Sequence, residues 1–287
     1  MTLATVETPR RIVHVTRGRT HGPITRLVSP SDLGELIKPF VFLDLAHFDG
    51  GKGLPSMDAF WHPHSGIATV TVILEGGMQF AETTGRRGGL AAGGVEWMRA
   101  GNAVWHTGAP DAGRGRLFQL WVALPPELEN APSASEYLEA DEVPRVGPAR
   151  VVLGEYGGKR SPIASPPLTY LDVSLESGRR WSYAPPRGHD VAWVAVHEGR
   201  LRTAAAPIAA GEVAIFERGE RGIDFVAEGK AGFVLGSAAK HPHELVLGNY
   251  SVHTSPEALE RGETAIRELG EKLVADGSLP EQALWKI

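Results

Sequence analysis

Two stretches of this chain, about 120 residues apart, carry the same punctuation, and that repeat limits the fold more than any other feature. Leu90-Ala91-Ala92-Gly93-Gly94-Val95-Glu96-Trp97-Met98-Arg99-Ala100-Gly101 lines up with Ile208-Ala209-Ala210-Gly211-Glu212-Val213-Ala214-Ile215-Phe216-Glu217-Arg218-Gly219. Upstream of the first lies an apolar run ending in Leu74-Glu75-Gly76, and upstream of the second one ending in His197-Glu198-Gly199. Each copy reads strand, Glu-Gly turn, strand, Ala-Ala-Gly turn, strand, Gly turn. Alternating apolar residues bounded by glycine at regular spacing favour an all-β sandwich or barrel. A period this long marks a duplicated domain rather than a solenoid.

The composition agrees. Glycine (35) and proline (21) make up about a fifth of the 287 residues, above the usual level of about 12% but short of the disordered range. That balance suits short strands joined by tight turns. With no cysteine, disulfides, thiolate metal sites and a cysteine nucleophile are excluded. No apolar stretch approaches the roughly 20 residues of a membrane span, and the first residues lack the apolar middle of a secretory signal. A cytoplasmic protein is expected. A formal charge of −5 argues against direct nucleic-acid binding, which rests on basic surface.

The chemistry concentrates in the first copy. His62-Pro63-His64 precedes the apolar run from Ile67 to Leu74. On an extended chain residues two apart face the same way, so both imidazoles converge. His106 arrives about one strand pair later. Two histidines on one strand and a third on another form a metal site with open positions. Counting from the repeated turns, His62, His64 and His106 correspond to Pro185, Arg187 and Asp224, so any metal belongs to the first copy. The segment 123–135, rich in Pro, Ser and Glu, reads as the boundary between the copies. Ser255 then caps a helix with Pro256 at its first position, and Leu259, Ile266, Leu269 and Leu273 recur at helical spacing. Gly262 and Gly270 each cost that helix about 1 kcal/mol, so it is expected to depend on docking against a barrel.

Pro39-Phe40-Val41-Phe42-Leu43-Asp44, Trp61-His62-Pro63-His64-Ser65-Gly66, Leu74-Glu75-Gly76-Gly77, Glu96-Trp97-Met98-Arg99-Ala100-Gly101 and Gln119-Leu120-Trp121-Val122 together resemble the pirin family of the cupin superfamily. The resemblance runs in order over most of residues 10–125. It is looser afterwards, although Leu247-Gly248-Asn249-Tyr250 before the final helix is also similar. It implies an all-β protein of two cupin-type β-barrels (a bicupin) with a C-terminal helix. The expected parts are an N-terminal barrel over 10–125 with the metal site, a C-terminal barrel over 140–250 without the histidines, and a helix over 255–275. It further implies an iron site of three histidines and one glutamate, quercetin-type flavonol dioxygenase chemistry and, in some members, regulatory binding to other proteins. His62, His64 and His106 match the histidines. Where the glutamate is expected, two residues after His106, this chain has Gly108.

Without that carboxylate, three imidazoles leave a divalent ion at +2. Fe(II) is then expected to bind more weakly; Zn, Mn, Ni or Cu are alternatives, and a metal-free barrel is another. Glu96, where the family pattern carries glutamine, is a candidate catalytic residue. A hairpin centred on Gly101 would place it opposite His106, with Cβ atoms about 5 Å apart. It would then ligate the metal directly or through water, or else hydrogen-bond His106 or a bound water. Two functions follow: an enzyme taking a small aromatic substrate, or a non-enzymatic scaffold with a degraded site that binds a protein partner. Trp61, Trp97 and Trp105 read as a stacking platform or, more ordinarily, as core. His241-Pro242-His243 reads as loop. His14, His21, His47, His189, His197 and His253 read as surface or satisfied core, and no Ser-His-Asp arrangement is indicated.

Overall fold

The structure, a computed structural model, describes residues 9–50 and 57–286. They form two units. The first joins Arg19–Val143 with His241–Ile287; the second joins the described residues up to Gly18 with Pro144–Lys240. Each is built on one large antiparallel sheet. In the first unit the spatial order is Ala134–Leu138, Val95–Arg99, Ile67–Glu82, Val104–Ala123, Phe40–Asp49, Ile24–Val28, Arg19–His21. In the second it is Ile12–Thr16, Val213–Phe216, Val191–Glu198, Ala231–Ala238, Leu168–Leu175, Ala149–Leu153, Arg145–Val146. The orders match strand for strand, which is the duplication expressed in three dimensions. The fold is the two-barrel, cupin-type all-β architecture with a C-terminal helix. No helix among the described residues is long and apolar enough to cross a membrane.

The sequence-based ranges 10–125 and 140–250 differ from these units at their ends. Ile12–Thr16 pairs with Val213–Phe216 and belongs to the second unit. Residues 134–138 pair with Val95–Arg99, and residues 241–250 also join the first unit. Each barrel therefore takes an edge strand from outside its own repeat. Such strands bury little: three of the five residues of Ile12–Thr16 are exposed, so apolar periodicity does not reveal where they pair. The boundary segment is not a bare linker either. It holds the short helix Pro126–Glu129, whose Glu129 is buried and accepts hydrogen bonds from the Thr254 amide and hydroxyl, each at 2.7 Å.

Leu74-Glu75-Gly76-Gly77 does not end its strand. Ile67–Glu82 runs on through the glycines, with register shifts at Ile73/Glu75 and Gly76/Met78 against Val104–Ala123. Bulges bend a long strand and increase its twist, which lets strands of 16 and 20 residues curve around a barrel. Gly76 sits at φ 76°, and a Cβ there would meet the Arg114 carbonyl at 2.6 Å, so glycine is required.

The helix Pro256–Ala275 begins as read, with the Ser255 hydroxyl accepting from the Ala258 amide at 3.1 Å. Its glycines are contact points. A Cβ at Gly262 would stand 2.0 Å from Ser65 Oγ, and one at Gly270 would stand 2.9 Å from the Trp105 ring. Ile266, Leu269 and Leu273 pack on Trp105, whose Nε1 donates to the Ile266 carbonyl at 3.0 Å. Docking thus replaces the helical propensity those glycines forgo.

Candidate metal centre

His62–His64 is a three-residue strand paired with the opening of Val104–Ala123, which sets His62 directly opposite His106. Alternation puts His62 and His64 on one face, and cross-strand pairing adds His106 to it. One ring nitrogen from each lies within 4.8 Å of the other two. The Nε2 atoms of His62 and His106 are 2.9 Å apart. His62 Nδ1 stands 2.7 Å from the Phe60 carbonyl, and His64 Nδ1 stands 3.0 Å from the Tyr250 carbonyl. A carbonyl only accepts, so both Nδ1 atoms carry the proton and both Nε2 atoms keep a lone pair. Burial, then the neighbouring imidazoles, holds His64 and His106 well below the usual histidine range. Neutral rings with convergent lone pairs are the donor set a divalent ion requires.

The hairpin expected about Gly101 does not form. Gly101 (φ 55°) packs against the Ala131 carbonyl and turns a corner: Val95–Arg99 pairs with Ile67–Glu82 and Ala134–Leu138, while residues 104–106 pair with His62–His64. Glu96 still reaches His106, but from behind. Its Oε1 lies 4.0 Å from Nδ1, while Nε2 of the same ring is turned to His62. Among the described residues no carboxylate joins the cluster of three donors.

Glu96 belongs to a row of directly paired polar residues crossing six strands: Arg26, Asp44, Gln119, Thr71, Glu96 and Tyr137. Arg26 is ion-paired with Asp44, and the Thr71 hydroxyl donates to Glu96. Tyr137 OH lies 2.9 Å from Glu82 and 3.5 Å from Glu96. Burial pushes the Glu96 carboxyl up to about 7; the Thr71 hydrogen bond opposes this and the Glu82 charge adds to it. The sequence reading missed Thr71, Tyr137 and Glu82. Thr69 and Thr71, polar residues inside an apolar strand, were the available signal.

The histidines open onto a cavity of about 840 Å³, within the usual range for a small-molecule site of roughly 300–1,000 Å³. Its aromatic wall includes Phe42 and Trp121, stacked at 4.1 Å, and Tyr250, whose ring is 5.5 Å from His62. The Arg26 guanidinium lies 3.9 Å over Phe42. Gly108 lines the same cavity. Trp97 and Trp105 are buried in the core, and Trp61 packs beside Trp105, so none is a platform. Tyr250, at φ 60°, adopts a conformation that non-glycine residues rarely take, with its carbonyl on His64.

His253 is buried, its Nε2 2.9 Å from Ser65 Oγ and its Nδ1 3.2 Å from Glu129. This Ser-His-Glu line resembles a hydrolytic triad, yet Ser65 has no exposed surface and lies beneath Gly262. It ties the segment carrying Tyr250 to the strand end beside His64. His241 and His243 lie in irregular chain, ring centroids 5.2 Å apart, outside the three-histidine cluster. In the second unit Asp224 pairs with Ser182, so Ser182 and Ala184 rather than Pro185 and Arg187 stand where His62 and His64 do. The seven residues between Arg180–Tyr183 and Val191–Glu198, against two in the first unit, displaced the count.

The pirin family model matches residues 23–122. A pirin-like protein of Caulobacter vibrioides is 35% identical over 193 residues, covering 63% of this chain and 68% of that protein. A Pseudomonas aeruginosa protein named "Putative quercetin 2,3-dioxygenase" is 31% identical over 223 residues, covering 71% and 76%. Among solved structures, a quercetin 2,3-dioxygenase from Acinetobacter baumannii superposes with a TM-score of 0.80 at 24% identity, covering 90% of this chain and 96% of that one. A bacterial pirin from Escherichia coli in complex with nickel(II) does so at 0.61 and 16%, covering 81% and 98%.

Proposed function

This chain belongs to the pirin family, and on that footing we propose that it is a cytosolic metalloenzyme. His62, His64 and His106 hold one divalent ion, Fe(II) first, and the cavity takes a flavonol of the quercetin type for 2,3-dioxygenation. The observation that carries the reading is the donor set. His62 and His64 spend their protons on backbone carbonyls, and the Nε2 atoms of His62 and His106 face each other at 2.9 Å. With its proton on Nδ1, His62 Nε2 can only accept, so it takes either the His106 Nε2 proton or a cation held between the two rings, and the residues fit a metal ion there. The names of the Pseudomonas relative and the nickel(II)-bound Escherichia coli pirin point the same way.

When bound, the ion supplies the redox chemistry that dioxygen needs to react with a closed-shell aromatic. The chain does the rest. Trp121 and Tyr250, beside the histidines, give a flat substrate an apolar surface to lie against. Glu96, bound by Thr71 and beside Tyr137, is a positioning residue that stands 4.0 Å from the Nδ1 edge of His106 and acts on the ring across that gap.

One observation favours the non-enzymatic reading: among the described residues no carboxylate joins the cluster. The two are separated by elemental analysis of protein purified without chelator or nickel resin, followed by oxygen uptake with quercetin. About one equivalent of iron and quercetin-dependent oxygen uptake are expected. Protein that stays metal-free after anaerobic Fe(II) loading would overturn the enzyme and leave a scaffold.

A further inference from the structure

We propose that the histidine centre obtains its missing negative charge from solution: with a divalent ion on His62, His64 and His106, it binds one monoanion, such as a carboxylate, phenolate or azide, beside the ion on the side left open by Gly108. This rests on the metal reading above.

Three imidazoles are neutral donors, so the ion keeps its full +2 in a cavity walled largely by Phe42, Phe80, Met78, Leu117, Trp121 and Tyr250. An uncompensated charge in such surroundings is costly. The neighbouring acids are committed elsewhere. Glu96 stands on the far edge of the His106 ring, bound by Thr71. Glu82 accepts from Ser135 at 2.8 Å and from Tyr137 at 2.9 Å, and Asp44 is paired with Arg26.

Space is the second observation. Gly108 lies two residues after His106 on Val104–Ala123 and shares its face, yet contributes no side chain. A Cβ built there would stand 3.2 Å from Met78 Sδ, 3.6 Å from the Gln79 carbonyl and 3.7 Å from Met78 Cγ, so a side chain at 108 needs the flexible Met78 to shift, while Gly108 itself leaves the cavity wall there bare backbone. The chain thus presents neutral donors, a wall without a side chain at 108 and, among the described residues, no acid within the cluster. A ligand of one negative charge satisfies all three conditions.

Linkage makes this testable without turnover, because an anion that tightens the metal is itself tightened by the metal to the same factor. Metal-free protein is titrated with Co(II) in a zwitterionic buffer, with and without azide or benzoate, following the visible Co(II) spectrum. The parent is expected to bind Co(II) about tenfold more tightly with the anion, with a changed spectrum. Gly108→Glu is expected to bind Co(II) tightly without azide and gain nothing from it, while Gly108→Ala keeps the dependence. Equal Co(II) affinity in the parent with and without either anion would overturn this proposal alone. So would Gly108→Glu that responds to azide like the parent. No Co(II) uptake in any buffer would overturn the metal reading with it. Should Gly108→Glu not fold, the parent's own anion dependence decides.

Discussion

The two units share strand order and turn positions and differ in what fills them. In the second, Trp181, Phe216, Phe225 and Phe233 meet ring to ring at 5.4–6.3 Å within one continuous core cluster that joins the large sheet to a smaller four-stranded one. In the first, Phe40, Val70, Val72, Phe118 and Leu120 are as deeply buried, but Met78, Phe80, Phe42 and Trp121 border a cavity and a polar row crosses the sheet. The paired positions His62 and His106 in one unit are Ser182 and Asp224 in the other, which merely hydrogen-bond each other. The scaffold does not need the site to close its sheet. What distinguishes the first unit is interior volume left unpacked and polar groups placed there.

The comparison breaks most completely if the histidines are removed. His62→Ala with His106→Ala should drop metal content from about one equivalent to near zero. Affinity should fall more than the roughly 10–100-fold typical of losing a ligand's hydrogen-bond partner, with circular dichroism unchanged. Next comes packing. Phe225→Ala should cost about 3–5 kcal/mol in urea unfolding and leave metal content intact. Phe80→Ala, whose ring borders the cavity, should cost nearer 2–3 kcal/mol. Equal costs would contradict the difference in filling.

The polar row gives a pH signature. Between pH 4.5 and about 7 the folded protein keeps on Glu96 a proton that the unfolded chain has lost. Glu96 therefore supports the fold below pH 4.5, and that contribution falls away as pH rises through 7, by on the order of 3 kcal/mol. The decline should appear in the difference between chelated parent and Glu96→Gln in pH-dependent urea unfolding, because the depressed His64 and His106 act on both curves in the opposite sense; parallel curves would show that the carboxyl titrates normally. The smallest effect concerns the helix docked on the first unit. Gly262→Ala forces a methyl against Ser65 and His253 and should cost about 1–3 kcal/mol by the same assay. No loss would mean the Ser65–His253–Glu129 line is slack.

Period-two alternation and turn glycines made the barrels and the trio legible, because both act within a few residues of sequence. His62, His64 and His106 converge for the same reason that any alternating strand has two faces. Glu96 reached His106 by a route the sequence could not supply. The turn at Gly101 looked like a hairpin, and only the competing partners of Val95–Arg99, among them residues 134–138, redirect it. Tyr250 was illegible for a similar reason. It enters the site across 186 residues through a backbone carbonyl, and no side-chain pattern announces that contact.

The exchanged edge strands bear on how the chain matures on the ribosome. Domains commonly fold in the order they are made. Here the second unit needs only residues 9–18 and 144–240, and all of these have been synthesised before His241 appears. The histidine barrel, begun earlier, waits for residues beyond 241, including the carbonyl that orients His64. Every strand of its large sheet has been made by Leu138, yet the nascent protein acquires its complete ligand environment only after the unit without that environment can already close.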